Sequence, residues 1–154
     1  MKILLPVDGS ADSMAAIQHA LQLRRDGLAL DFVLANVQEP PSLYEVVVAH
    51  DAEVLSDVRR DAGADLLAPA ESMLEAAGAE WESEVAGGDP GHLLVELAEN
   101  YACDAVIMGL GEGAPGAVAQ AVLRHSVVPV TLVRAEAPAD AAEASEAEGA
   151  DSGG

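Results

Sequence analysis

The stretch CDAVIMGLGEGAPGAVAQAVLRHSVVPVTLV, residues 103–133, joins two apolar runs through a glycine-rich turn and a helical pattern. Continuous apolar runs of this length read as strands buried on both faces. The first is "CDAVIMG" and the second "VPVTLVRA", residues 128–135, with a helix from about Gly116 to His125 between them. A crossover of that length makes the two strands parallel, because a tight hairpin can only join antiparallel neighbours.

Working outward, the same alternation fills the rest of the chain. "KILLPVD" (2–8) reads as a buried strand ended by Asp8-Gly9-Ser10. A helix follows from Ala11 to about Arg25, with Ser10 as N-cap and Gly27 just past its end. "LDFVLANV" (30–37) is a second strand, stopped by Glu39-Pro40-Pro41, after which the chain is polar and irregular to about Ala49. Residues 51–78 carry a long helical pattern that Pro69 is expected to kink or divide. "AEWESEVAGG" (79–88) alternates as a third strand, with Trp81, Ser83 and Val85 on one face. Asp89 and Pro90 are then an N-cap and first-turn proline, a strong helix start. The expectation is an α/β domain over 1–135: a doubly wound, five-stranded parallel sheet with helices on both faces. Residues 136–154, acidic and alanine-rich, have no large apolar groups to bury and read as a disordered tail.

Composition narrows the partners. The chain of 154 residues carries a net charge of -20, with 27 acids against seven lysines and arginines. Such a field repels nucleic acid and anionic membranes, so neither is expected as a partner. Solubility explains the acidity most simply, and adaptation to saline surroundings is the second reading. The single cysteine, Cys103, allows neither an internal disulfide nor a zinc site of its own and fits a reducing cytoplasm. No signal sequence or membrane-length apolar stretch is read, so a cytoplasmic protein is expected. His19, His50, His92 and His125 stand at scattered spacings, and no metal site is expected from them.

Ligands of open parallel sheets bind beyond the carboxyl ends of the strands, at the switch in strand order. That directs attention to "PVDGS", to Val37 and to the glycine-rich turn. Pro6 is odd in a central strand, since its missing donor calls for a bulge or an edge-like contact. On periodicity alone Met108 reads as core.

The segments "MKILLPVDGSADSMAAIQHAL", "FVLANV", "GDPGHLLVELAE", "CDAVIMG" and "GAVAQAVLRHSVVPVTLV", taken in order, resemble the universal stress protein family from Met1 to about Arg134. The resemblance implies strand order 3-2-1-4-5, a homodimer paired through the last strand (Val128–Arg134), and in many members a bound adenine nucleotide, ATP or AMP. It also implies the contacts. Pro6, Val7 and Asp8 end strand one, Val37 ends strand two, and Met108-Gly109 ends strand four. Gly116-Ala117-Val118 closes the phosphate loop.

The carry-over is incomplete in that loop. Glu112 stands where the family has its second glycine, the spacer before Gly116 is largely missing, and Ala117 replaces a hydroxyl residue. Pro115 has no N–H to offer, and Glu112 adds negative charge. Weak or absent ATP binding is therefore expected, in a regulatory or protective protein rather than an enzyme. Two alternatives come from other classes. "DGSADS" is similar to the phosphate loop of adenylating ATP pyrophosphatases but lacks their glycine pair. A phospho-receiver domain shares the sheet plan, yet needs paired acids after strand one and a lysine after strand five.

Overall fold

The structure, a computed structural model, describes residues 1–39, 52–111 and 115–136. The expected irregular segment before Ala49, Glu112 and, apart from Glu136, the acidic tail lie outside the described residues. Among the described residues strands and helices alternate: β1 (Lys2–Pro6), α1 (Ala11–Arg25), β2 (Asp31–Gln38), α2 (Ala52–Ala76), β3 (Trp81–Gly87), α3 (Pro90–Asn100), β4 (Ala105–Gly109), α4 (Ala117–His125) and β5 (Val130–Val133). The sheet order is β3-β2-β1-β4-β5 and all four pairings are parallel. The fold class and strand order expected from the sequence are the ones found.

The continuous apolar runs are explained by burial on both faces. Side chains alternate across a strand, so Ile3, Leu5, Phe32, Leu34 and Ile107 pack on α1 and α2, with Ile17, Leu67 and Leu74. Leu4, Val33, Val106 and Met108 pack on the other side, against Leu94 and Leu97 of α3 and Val122 of α4. Each fully buried aliphatic side chain contributes about 1.5–3 kcal/mol relative to exposure. A polar residue at any of these strand positions breaks one of the two cores.

The caps act where the sequence places them. The Ser10 hydroxyl oxygen accepts the Ser13 N–H at 3.1 Å, and an Asp89 carboxylate oxygen accepts the His92 N–H at 3.1 Å. One expectation is narrowed. Pro69 does not divide α2, which runs unbroken from Ala52 to Ala76. The proline is solvent-exposed, so the carbonyl deprived of its donor can turn to water. β3 is the strand expected, with Trp81 and Val85 packed against the core and Ser83 between them exposed at this edge of the sheet.

Pro6 needs no bulge, because it has the edge-like contact expected of it. β1 pairs with β4 only at Ile3↔Ala105 and Leu4↔Val106, whereas its pairing with β2 continues to Pro6↔Ala35. The Val7 N–H then donates to the Ala35 carbonyl at 2.8 Å. Successive N–H groups point to opposite neighbours, so the Pro6 nitrogen faces β4 after pairing with β4 has ended. The missing donor falls where the two central strands part, and their parting opens a crevice.

Candidate functional site

The crevice has a volume of about 420 Å³ and lies at the carboxyl ends of β1, β2 and β4. Pro6, Val7 and Asp8 line it from the exit of β1, and Val37 from the end of β2. Met108 and Gly109 come from β4, and Gly116, Ala117 and Val118 from the start of α4. Every site position named from the sequence therefore borders one space. Met108 serves both readings, since it packs in the core and also faces the crevice. Sequence reasoning missed the opposite wall, Pro90 and Leu94 of α3, which only the packing of that helix brings near.

The exit of β1 is held by its own polar groups. Asp8 accepts the Ser10 N–H at 2.9 Å, which turns the chain into α1. The Ser13 hydroxyl donates to the Ser10 carbonyl at 3.0 Å. Partial burial in the crevice wall raises the Asp8 pKa, but hydrogen bonds from the Ser10 side chain and backbone and from Ser13 outweigh it. The net effect lowers the pKa below the ordinary carboxylate range, so Asp8 presents a carboxylate to the crevice. Asn36, buried in β2, donates from its amide to the Val7 carbonyl at 2.8 Å and accepts from Gln38. Nothing in its local sequence marks this role.

The glycine-rich turn is closed on itself. The Leu110 N–H donates to the Val133 carbonyl at 2.8 Å, and the Gly116 N–H to the Leu110 carbonyl at 2.9 Å. Gly111, at φ +80°, donates its N–H to Asp12 Oδ2 at 3.1 Å. The other oxygen, Oδ1, accepts the Ala135 N–H at 2.7 Å. Asp12 thus ties the first turn of α1 to the loop after β4 and to the exit of β5. Gly116 caps α4 without a side-chain bond, and the first intrahelical bond runs from the Gln120 N–H to the Gly116 carbonyl at 2.9 Å.

Two carboxylates, Asp8 and Glu39, line the crevice, and among the described lining residues there is no lysine, arginine or histidine. Elsewhere the fold brings His92 and His125 together, with ring centroids 5.4 Å apart. Their spacing in sequence held no hint of this. Among the described residues no group of three or more His, Cys, Asp or Glu side chains is placed to hold a metal ion. Among the same residues no helix is long and apolar enough to cross a membrane.

Fold and crevice together define a doubly wound α/β domain whose cleft sits at the switch in strand order, between β1 and β4. The profile of the Universal stress protein family matches residues 1–134, and the chain belongs to that family. Universal stress protein MJ0531 of Methanocaldococcus jannaschii is 27% identical over 139 residues, which is 86% of this chain and 81% of the relative. A universal stress protein solved in complex with cAMP is 27% identical at a TM-score of 0.66, with 88% of this chain and 98% of that one covered. A universal stress family protein from Burkholderia pseudomallei shares the fold at a TM-score of 0.68 and 24% identity, over 86% of this chain and 94% of its own.

Proposed function

We propose that this chain is a regulatory or protective domain of the stress-response type that takes an adenine nucleotide into its crevice and works as a homodimer through β5. The observation that carries the nucleotide reading is the convergence of Pro6, Val7, Asp8, Val37, Met108, Gly109, Gly116, Ala117 and Val118 on one space of about 420 Å³. That volume lies within the usual range of small-molecule sites, roughly 300–1,000 Å³. The 27% identical relative in complex with cAMP supports the same class of ligand.

In this reading Val37 and Met108 supply apolar walls for the base, and ionised Asp8 accepts hydrogen bonds from ribose hydroxyls. Gly109 brings bare backbone to the crevice wall, with α1 packed behind it. The start of α4 faces the phosphate end. The dimer reading rests on β5, which ends the described sheet, and on the exposed apolar side chains Leu123 and Val127 beside it. A cytoplasmic location and a role without catalysis belong to the same proposal.

Calorimetric titration with adenosine, AMP and cAMP tests the nucleotide reading, with guanosine as control. The expected result is saturable binding of at least one adenine compound that Asp8→Ala weakens about tenfold, the loss of one or two charge-assisted hydrogen bonds. No binding of any of them up to about 1 mM, a floor near -4 kcal/mol, would sink it.

A further inference from the structure

We infer that Asp12 is a specificity-determining residue of the crevice: it makes affinity fall as a ligand carries more phosphate charge. A neutral nucleoside or a singly charged cyclic monophosphate is then preferred to a triphosphate. The inference rests on the adenine-nucleotide reading above and specifies the ligand class for that site.

The first support is where the backbone donors go. A loop that cradles phosphate does so by leaving several N–H groups aimed at its oxygens, usually beside a cation. Here the N–H groups of Leu110 and Gly116 are spent on the Val133 and Leu110 carbonyls. Gly111 spends its N–H on Asp12. Pro115, the remaining described residue of the turn, has none, which leaves the N–H groups of the first turn of α4, Ala117 to Ala119, as the backbone donors at the crevice wall. Asp12 is the only side chain in this set of bonds, and both of its oxygens are engaged, at 3.1 Å to Gly111 and 2.7 Å to Ala135. A carboxylate held from two sides cannot swing away when a phosphate arrives.

The second support is charge. Asp12 lies directly behind the wall, because Gly109 is packed against its backbone. Its charge therefore adds to those of Asp8 and Glu39, and no cationic side chain among the described lining residues offsets them. At an effective dielectric constant between about 40 and 80, two like charges roughly 7 Å apart cost about 3- to 7-fold in affinity. A triphosphate meets that penalty several times over, a cyclic monophosphate once and a nucleoside not at all. Asp12 is a positioning residue in this account, since it does not itself line the crevice.

The test compares Kd values for adenosine, cAMP, AMP and ATP on the whole chain and on Asp12→Asn, which keeps the size, removes the charge and gives up one of the two accepted hydrogen bonds. Adenosine or cAMP is expected to bind the unmodified chain at least ~10-fold more tightly than ATP. In Asp12→Asn that ratio should narrow about 3- to 7-fold while adenosine affinity stays within about twofold. Raising salt from ~50 to ~500 mM on the unmodified chain gives an independent readout if the variant folds poorly. ATP affinity should rise as repulsion is screened, and adenosine affinity should not change. ATP binding as tightly as adenosine, with or without magnesium, overturns the inference and leaves the nucleotide reading standing. So does an equal loss for adenosine and ATP in Asp12→Asn, the mark of a purely structural residue. No binding by any of the four overturns the nucleotide reading together with the inference.

Discussion

Gly109 and Asp12 are packed so closely that a Cβ on Gly109 would lie 2.8 Å from both the carbonyl carbon and the Cβ of Asp12. The obstacle is largely backbone of a capped helix, with the Ser13 nitrogen also at 2.8 Å, so no rotamer change relieves it. Gly109→Ala is expected to destabilise the domain by about 1–3 kcal/mol. Urea unfolding measures this, and a loss under ~0.5 kcal/mol would show that α1 can move off β4.

Asp8 links the crevice to pH. Its folded-state pKa is lowered, with burial opposing and hydrogen bonds from Ser10 and Ser13 prevailing. Between the folded and unfolded pKa values the unfolded chain binds more protons, so stability rises with pH across that window. The contribution is present above the ordinary carboxylate pKa of about 4 and is lost as pH falls through the lower folded value. Asp8→Asn should therefore flatten the loss of stability below about pH 4. Denaturant midpoints at pH 3, 4 and 6 give the comparison, and identical pH slopes in both proteins would contradict it.

Ala102 ends α3 in the left-handed region, at φ 52°. The Cys103 N–H donates to the Ala98 carbonyl at 2.8 Å and the Ala102 N–H to Glu99 at 3.0 Å, so this closing turn is held despite its non-glycine residue. Glycine adopts that conformation without the Cβ penalty, which is about 1 kcal/mol for L-residues. Ala102 is exposed and loses little packing on substitution. Ala102→Gly should stabilise the protein by about 0.5–1 kcal/mol, a gain readable as a higher melting temperature. A lower melting temperature would show that chain entropy outweighs the strain.

Cys103 is 6% exposed. Burial pushes its thiol pKa up; Lys2 pulls it down in part, and Asp104 raises it further. Thiolate is the reactive form, so native protein at pH 8 should react with a thiol reagent at least ~100-fold more slowly than protein unfolded in urea. Comparable rates would mean that the turn after α3 opens readily.

The dimer has its own test at β5. Thr131 is exposed on this edge strand, whose inner side pairs with β4 through Ile107↔Thr131. Where two copies pair edge to edge, Thr131→Lys sets like charges close across the interface. Sedimentation should then show a dimer for the unmodified chain and at least ~10-fold weaker association for the variant. A monomer in both cases removes the dimer from the proposal.

Much of the fold was legible because its signals are local. The apolar runs around Leu4, Val33 and Ile107 are continuous because both sheet faces are covered, and the Ser10 and Asp89 caps act within three residues of themselves. The helix is not divided at Pro69 because the cost of a proline depends on which side of the helix it occupies, and the periodicity around it did not settle that side. At Pro6 the difficulty ran the other way: the residue looks wrong for a central strand until the early end of β1–β4 pairing is seen.

Local sequence patterns alone were enough for the alternation of elements, and the resemblance of the whole folded chain to its family pointed to nine of the residues that border the crevice. That those residues share one space, and that the Leu110, Gly111 and Gly116 N–H groups are already bonded, was decided by the assembled fold. The Asp12–Gly111 and Asp12–Ala135 bonds span 99 and 123 residues. Contacts between segments so far apart in the chain leave no local periodicity, cap or turn signal. They exist because the parallel sheet sets α1 against the loops that follow β4 and β5.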